Sequence, residues 1–234
     1  MSLFSRLSNI SRKQKLELFY KLMNPNSNNI ILDIGAEINP KGDRLVQLID
    51  SYPWKEKITA VNISNQHIQF IKESYPEINT VVGNACNLNW PDKYFDIIYS
   101  NAVIEHVGSL ENQKQFASEI MRVGKKWFVT TPNRWYPFEF HSRLPFVTWL
   151  PKHGYLWASK VLDYNHTNKK YEFFSKNNRN LRLMSVKELK QCFPGSRIIK
   201  QRITFLPETL IAYGGVGIGM PPKNFNIANY RASG

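Results

Sequence analysis

The sequence predicts an α/β fold: a doubly wound, mostly parallel seven-stranded sheet with an inserted aromatic and basic cap. Three observations carry this expectation. Short apolar runs bounded by turn residues alternate with helix-period segments from Ile30 to Thr131, the rhythm of βαβ units joined by right-handed crossovers. The 234 residues are enough for one large domain with its own core and no covalent staples. Residues 132–185, which are aromatic, basic and proline-containing, then break the rhythm before a helix and two more strands restore it.

The elements follow in order. Lys13 to Met23 reads as a helix whose apolar side is Leu16, Leu18, Phe19 and Leu22, and Pro25-Asn26-Ser27-Asn28-Asn29 stops it. Ile30-Ile31-Leu32-Asp33-Ile34-Gly35 is a short apolar run ending in a turn, as a buried parallel strand requires. A helix over Arg44 to Ser51 leads to a second strand, Ile58 to Ile63. Ser64 then suits the N-cap of a helix reaching Tyr75. Thr80 to Val82 forms a third strand, Tyr94 to Tyr99 a fourth, and Glu111 to Val123 a helix. Trp127 to Thr131, halted by Pro132, is the fifth strand. The cap insertion 132–185 includes a helix around Tyr155 to Leu162. Ser185 caps a helix to Phe193, and strands at Arg197–Thr204 and Glu208–Tyr213 close the sheet. The division is thus an N-terminal helix or lid at 1–29, a domain at 30–213, and a loosely ordered, glycine-rich tail at 214–234.

Charge is the informative part of the composition. The formal net charge is +13, with 42% hydrophobic and 13% aromatic residues, which excludes a chain disordered throughout. Residues 1–121 are nearly balanced, with twelve Lys/Arg against thirteen Asp/Glu, whereas residues 122–202 hold seventeen against four. A field of that size, fed by Arg143, Lys152, Lys160, Lys169, Lys170, Arg179 and Arg182, attracts anionic partners. The two cysteines, Cys86 and Cys192, are too few for a disulfide framework or a zinc site, so a reducing cytoplasm is expected. The longest apolar run, Leu210 to Met220, is glycine-rich and far short of a membrane span, and the basic N-terminus lacks the apolar core of a secretory signal.

The turn after the first strand narrows the ligand. A dinucleotide cradle would need glycines at 35, 37 and 40, where backbone amides approach a pyrophosphate; the sequence has Gly35, Glu37 and Pro40. Nor is there a phosphate loop or a Cys/His cluster with metal-ligand spacing. An ionised Asp33 accepts hydrogen bonds only, which suits a cationic group, and Gly35 lets the backbone come close to a ligand. The ligands of such sheets bind at the carboxyl ends of the strands.

The run Ile31-Leu32-Asp33-Ile34-Gly35-Ala36-Glu37 and the run Phe95-Asp96-Ile97-Ile98-Tyr99-Ser100-Asn101-Ala102-Val103-Ile104-Glu105-His106-Val107 together resemble the class I S-adenosylmethionine-dependent methyltransferases, in particular bacterial methyltransferase-domain proteins. Thr131-Pro132-Asn133-Arg134-Trp135-Tyr136-Pro137 and Asn180-Leu181-Arg182-Leu183-Met184-Ser185 add to the likeness, which spans about residues 30 to 213. The resemblance implies a Rossmann-like sheet and S-adenosylmethionine as cofactor. Its ammonium would meet Asp33 beside the Gly35 turn, where Glu37 and Asn39 stand in the place of the family's further glycines. Asn62, followed by Ile63, takes the ribose position usually held by an acid, and Asn84 with Ala85 takes the adenine position. Asn101 would lie under the methyl end. Asparagine also favours turns on its own account, so Asn62 and Asn84 carry both readings.

Methyl transfer is an in-line displacement to which an enzyme contributes mainly alignment. An oxygen or nitrogen acceptor also benefits from a base with pKa near neutral. His106 is the candidate base, with Glu105 orienting it or the substrate, and Glu139 and His141 are expected to reach inward from the loop after the fifth strand. The function expected is methyl transfer to an oxygen or nitrogen of a small-molecule or glycan-like acceptor, for which an anionic one fits the charge. Two alternatives stand beside it. One is an RNA methyltransferase using the cap's charge on a phosphate backbone. The other is a non-catalytic scaffold on a degenerate methyltransferase fold.

Overall fold

The computed structural model describes residues 3–38, 46–139, 143–150, 158, 161–165, 170–173 and 181–215. Its central sheet contains strands β1 (Ile31–Ile34), β2 (Ile58–Asn62), β3 (Asn79–Val82), β4 (Phe95–Asn101), β5 (Gly124–Pro132), β8 (Arg197–Gln201) and β9 (Thr209–Gly215). The spatial order is β3-β2-β1-β4-β5-β9-β8, and a separate ribbon pairs β6 (Leu162–Asn165) with β7 (Lys170–Phe173). The pairs from β3 to β5 are parallel, while β9 runs antiparallel to both β5 and β8. This mostly parallel α/β sheet is the one the sequence predicts. The order reverses between β1 and β4, which makes the carboxyl ends of these two strands the switch point where a crevice opens.

Both faces of the sheet are covered, so β1 is buried along its whole length. Alternation along β1 sends Leu32 and Ile34 to one face, where α4 (Leu110–Val123) and α5 (Val186–Cys192) contribute Phe116, Ala117, Ile120, Val123, Leu189 and Cys192. Ile31 faces the other side, packed with α1 (Leu3–Met23), α2 (Leu48–Ser51) and α3 (Asn65–Ser74) through Phe19, Met23, Leu48, Ile49 and Ile71. Phe19 stands edge-on to both Tyr99 and Phe128, which stack on each other across β4 and β5.

The helix starts are set by capping. Ser64 accepts from the His67 backbone amide, and Ser185 accepts from that of Glu188 while the Glu188 carboxylate returns the bond. A separate network secures the loop before β4: the Arg122 guanidinium binds Glu119, Asp92 and the carbonyls of Leu88 and Trp90. The two carboxylates, Glu119 first, raise the Arg122 pKa above its ordinary value.

Several boundaries differ from the sequence expectation. α1 begins at Leu3 rather than Lys13. In its first half Leu7 and Ile10 are exposed rather than packed in the core, and that half is fastened instead by remote partners: Asn9 accepts from the Val46 amide and Ser11 donates to Glu208. β4 runs on to Asn101, and β5 begins at Gly124 and takes in Pro132. Gly214 and Gly215, expected in a loose tail, are paired in β9. A side chain at Gly215 would sit 2.1 Å from the Lys125 carbonyl at a φ of +117°, so glycine there marks close strand approach. Within the expected cap helix Ala158 and Val161 are helical, but Leu162 opens β6; the rest of that helix and residues 216–234 lie outside the described residues.

Candidate active site

At the switch point the chain gathers the turn after β1, the ends of β2, β4 and β5, the loop entering β9 and the middle of α1. Gly35 forms the first turn at a φ of +78°, its amide donating to the Val61 carbonyl at 2.7 Å. A Cβ there would lie 2.2 Å from a methyl of Val103, so the loop after β4 closes tightly on this turn. Glycine is needed on two counts: the left-handed backbone and the packed valine.

Asp33 is 4% exposed and points to the α1 face, level with Ala60 on β2 and Tyr99 on β4. Burial, reinforced by the negative Glu37, raises its pKa from 3.8 to about 8. Burial, and then the Asp33 carboxylate when ionised, push the Tyr99 phenol well above its ordinary value. A carboxyl held neutral in this way ionises readily only when a cation arrives beside it.

Beyond the turn, Glu37 is half-exposed and lies 3.6 Å from His67 Nδ1 on α3. Asn39 and Pro40 lie outside the described residues. The Asn62 amide is used at both ends: Nδ2 donates to the Ala36 carbonyl at 2.8 Å, and Oδ1 accepts from the Ser64 amide at 2.9 Å. It laces the turns after β1 and β2 together. Ile63 beside it is exposed, an apolar platform next to a polar strand end. Asn84 forms an Asx turn by accepting from the Cys86 amide, with Ala85 buried beneath it. The turn chemistry open to both asparagines is therefore used. At the end of β4, Asn101 accepts from the Thr130 hydroxyl at 2.8 Å, and Ala102 follows in a left-handed conformation.

The two adjacent candidates in the short 3-10 turn Ile104–His106 occupy different environments. Glu105 is fully buried and accepts from Thr131 Oγ1 at 3.0 Å, whereas His106 is exposed. Glu105 is held in place from behind. Its carbonyl accepts from the Arg182 amide, and Gln113, itself buried, donates to the carbonyls of Ile104 and Arg182. The Arg182 guanidinium binds Gln113 and Glu188. Glu139 is buried in the loop after β5, and His141 lies outside the described residues.

Four side chains that the sequence reading passed over also belong here. Lys15 of α1 is 8% exposed; burial and neighbouring Arg12 lower its pKa to about 8 against the opposing pull of Glu208 and Glu105. Glu208, in the loop entering β9, is buried and its pKa raised by that burial. An Arg12 guanidinium nitrogen is buried with no hydrogen-bond partner. Gln113 is the fourth. The signal for Arg12 and Lys15 was available: both share the stripe of Phe19 and Leu22, at three- and four-residue spacing, and two cations on an apolar stripe need something to face.

The arrangement joins a buried carboxyl suited to a cation (Asp33), an exposed apolar platform (Ile63) and a mixed-charge cluster (Lys15, Glu105, Glu208). Among the described residues no group of His, Cys, Asp or Glu is placed to hold a metal ion, and no helix is long and apolar enough to cross a membrane.

Comparison with known proteins agrees with this architecture. Residues 41–127 match the family model for a methyltransferase domain. A protein of Mycolicibacterium smegmatis named as a probable S-adenosylmethionine-dependent methyltransferase is 32% identical over 81 residues, covering 33% of this chain and 30% of its own. The chain therefore aligns with less than a third of that relative's length. Among solved structures, an S-adenosylmethionine-dependent methyltransferase of Thermotoga maritima superposes with a TM-score of 0.53 at 15% identity, covering 91% of each chain. A Haemonchus contortus phosphoethanolamine N-methyltransferase, in complex with S-adenosyl-L-methionine, superposes with a TM-score of 0.53 at 17% identity, covering 82% of this chain and 39% of its own.

Proposed function

We propose that this chain, which carries a methyltransferase domain at residues 41–127 on the fold of the class I methyltransferases, moves a methyl group from S-adenosylmethionine to an oxygen or nitrogen of a small-molecule or glycan-like acceptor. The observation that carries the reading is Asp33: a carboxyl buried at the switch point, in a setting that keeps it neutral until a cation is supplied. The ammonium of the cofactor's methionine end is such a cation, and its approach favours the ionised carboxylate. The Gly35 turn lets the chain pass close beside that end. Ile63 offers an apolar face for a purine, next to the Asn62 link that fixes its turn. When bound, the cofactor supplies an electrophilic methyl on a sulfonium centre.

The chain's own groups would align the acceptor and manage its proton. Glu105, fixed by Thr131 and by the Gln113–Arg182 bracing, offers a carboxylate that cannot swing. Lys15, its pKa lowered to about 8 by burial and by Arg12 against the opposing pull of Glu208 and Glu105, is partly neutral near physiological pH and can take a proton at Nζ or donate to an acceptor oxygen. His106 Nδ1 or Nε2 is the solvent-side alternative, to which a released proton passes readily. Alignment is the larger contribution in such a displacement.

Calorimetric titration with S-adenosylmethionine and S-adenosylhomocysteine tests the reading. Micromolar binding that Asp33→Ala abolishes supports it, and folded protein that takes up neither ligand refutes it. The scaffold alternative draws on one observation, that Asn62 is committed at both ends to backbone groups; it predicts that neither ligand binds. An RNA acceptor would show as a salt-dependent gel shift, and none at low salt removes that alternative.

A further inference from the structure

The carboxyl edge also carries an apolar surface that the catalytic reading does not use. Trp135, Phe146, Trp149, Leu150, Phe205 and Leu206 are all exposed, Phe205 at 97%. They come from three stretches of chain that the structure draws together. The Trp149 indole donates to the Trp135 carbonyl, and its ring meets Phe146 edge-on at 5.0 Å. Tyr136 and Thr204 share a hydroxyl hydrogen bond of 3.2 Å, and the Asn133 amide holds the Pro207 carbonyl, so the 204–207 loop lies against the 133–136 turn. α1 reaches the same place through the bond from Ser11 to Glu208, bringing the exposed Leu7 and Ile10 of its first turns.

This surface is cationic as well as apolar. Arg134 lies over the Trp135 ring, and Arg202 is exposed at the start of the 202–206 loop. Both belong to the segment 122–202, with its seventeen cations and four acids. Tryptophan, phenylalanine and leucine beside arginine is the composition that settles at the interface of an anionic bilayer, where rings sit at headgroup depth and cations meet the surface charge.

We infer that Trp135, Phe146, Trp149, Leu150, Phe205 and Leu206, with Arg134 and Arg202, form a docking surface for an anionic lipid bilayer, turning the open edge of the sheet toward the membrane. The contact is peripheral and spans nothing. Charge decides between this occupant and a second copy of the chain, because a two-fold contact would set Arg134 and Arg202 against the same cations of the copy. The aliphatic members decide against a nucleic acid, since Leu150 and Leu206 cannot stack on bases. The inference is independent of the methyl-transfer reading: it needs only the surface.

Flotation of the purified chain with vesicles tests it, comparing phosphatidylcholine containing a third phosphatidylglycerol with phosphatidylcholine alone. The wild type should float with the anionic vesicles, less so at high salt, and not with the neutral ones. The double variant Phe205→Ser/Leu206→Ser alters side chains outside the core, so an unchanged circular-dichroism melt is expected while its partitioning falls at least about tenfold. Two results overturn the inference. One is equal flotation of wild type and variant, or flotation of neither. The other is a dimer in light scattering that the double variant dissolves without vesicles, which would assign the surface to a second copy.

Discussion

Asp33→Asn separates a working ionisable site from an ordinary buried polar residue. In the folded protein the Asp33 carboxyl titrates at about 8, against 3.8 for the unperturbed group. Between those values the unfolded chain has lost the proton and the native one keeps it. Stability therefore falls as pH rises through this window, by about 1.4 kcal/mol per unit, and levels off above about 8. At pH 7 the accumulated penalty is about 4 kcal/mol. Asparagine occupies nearly the same volume and carries no charge, so the variant should escape that penalty. Urea melts of both proteins from pH 5 to 8.5 provide the assay, because the difference between them cancels every other titrating group. The expected result is a variant whose advantage grows by about 1.4 kcal/mol per unit and then flattens above about pH 8. The same variant should lose affinity for S-adenosylmethionine, while wild-type binding tightens by up to about tenfold per unit toward pH 8 as Asp33 gives up its proton. A stability difference that does not change with pH refutes the reasoning.

Gly35→Ala should destabilise the fold by about 1–3 kcal/mol, since the new methyl meets Val103 at 2.2 Å and φ is +78°; adding Val103→Ala should recover part of the loss in a denaturant melt, and no recovery would place the cost in the backbone alone. Asn62→Asp replaces a donor to the Ala36 carbonyl with a second acceptor, so it should cost about 1–3 kcal/mol at pH 7 and recover at pH 4 as the acid protonates; a variant as stable as wild type at both pH values would contradict the bond. Lys15→Met removes a cation whose pKa falls from 10.5 unfolded to about 8 folded. The native state releases that proton first, so wild-type stability gains from this group between about pH 8 and 10.5, and the variant should lack the gain in alkaline melts. Gln113→Leu should unbrace Glu105 and lower methyl-transfer turnover while cofactor affinity, read by calorimetry, stays close to wild type; equal loss of both would make Gln113 a part of the general fold.

Much of the fold was legible. The runs at Ile31–Ile34 and Ile58–Asn62 are dense in β-branched and aliphatic residues because both faces of a parallel sheet are covered, and that density is visible without coordinates. Ser64 and Ser185 announced their helices because capping is local. The placement of candidate residues was legible where it depends on strand ends, as at Asp33, Gly35 and Glu105. It was opaque where distant chain meets: nothing near Lys15 says that Glu208 will face it, and nothing near Gln113 points to the Ile104 and Arg182 carbonyls. Asn62 and Asn84 show a subtler limit. Their residue type admitted both a ligand and a turn, and only the partners of their amide groups reveal that the turns use them.

The bond from Ser11 to Glu208 joins residues 197 positions apart, and it gives the protein a schedule. Strands β1 to β5 lie within the first 132 residues and can pair as a nascent chain lengthens. The crevice still lacks its far wall until the hairpin of β8 and β9 delivers Glu208 to α1, which precedes all of these strands in the chain. A growing chain thus carries most of its parallel strands well before the candidate site has all of its walls.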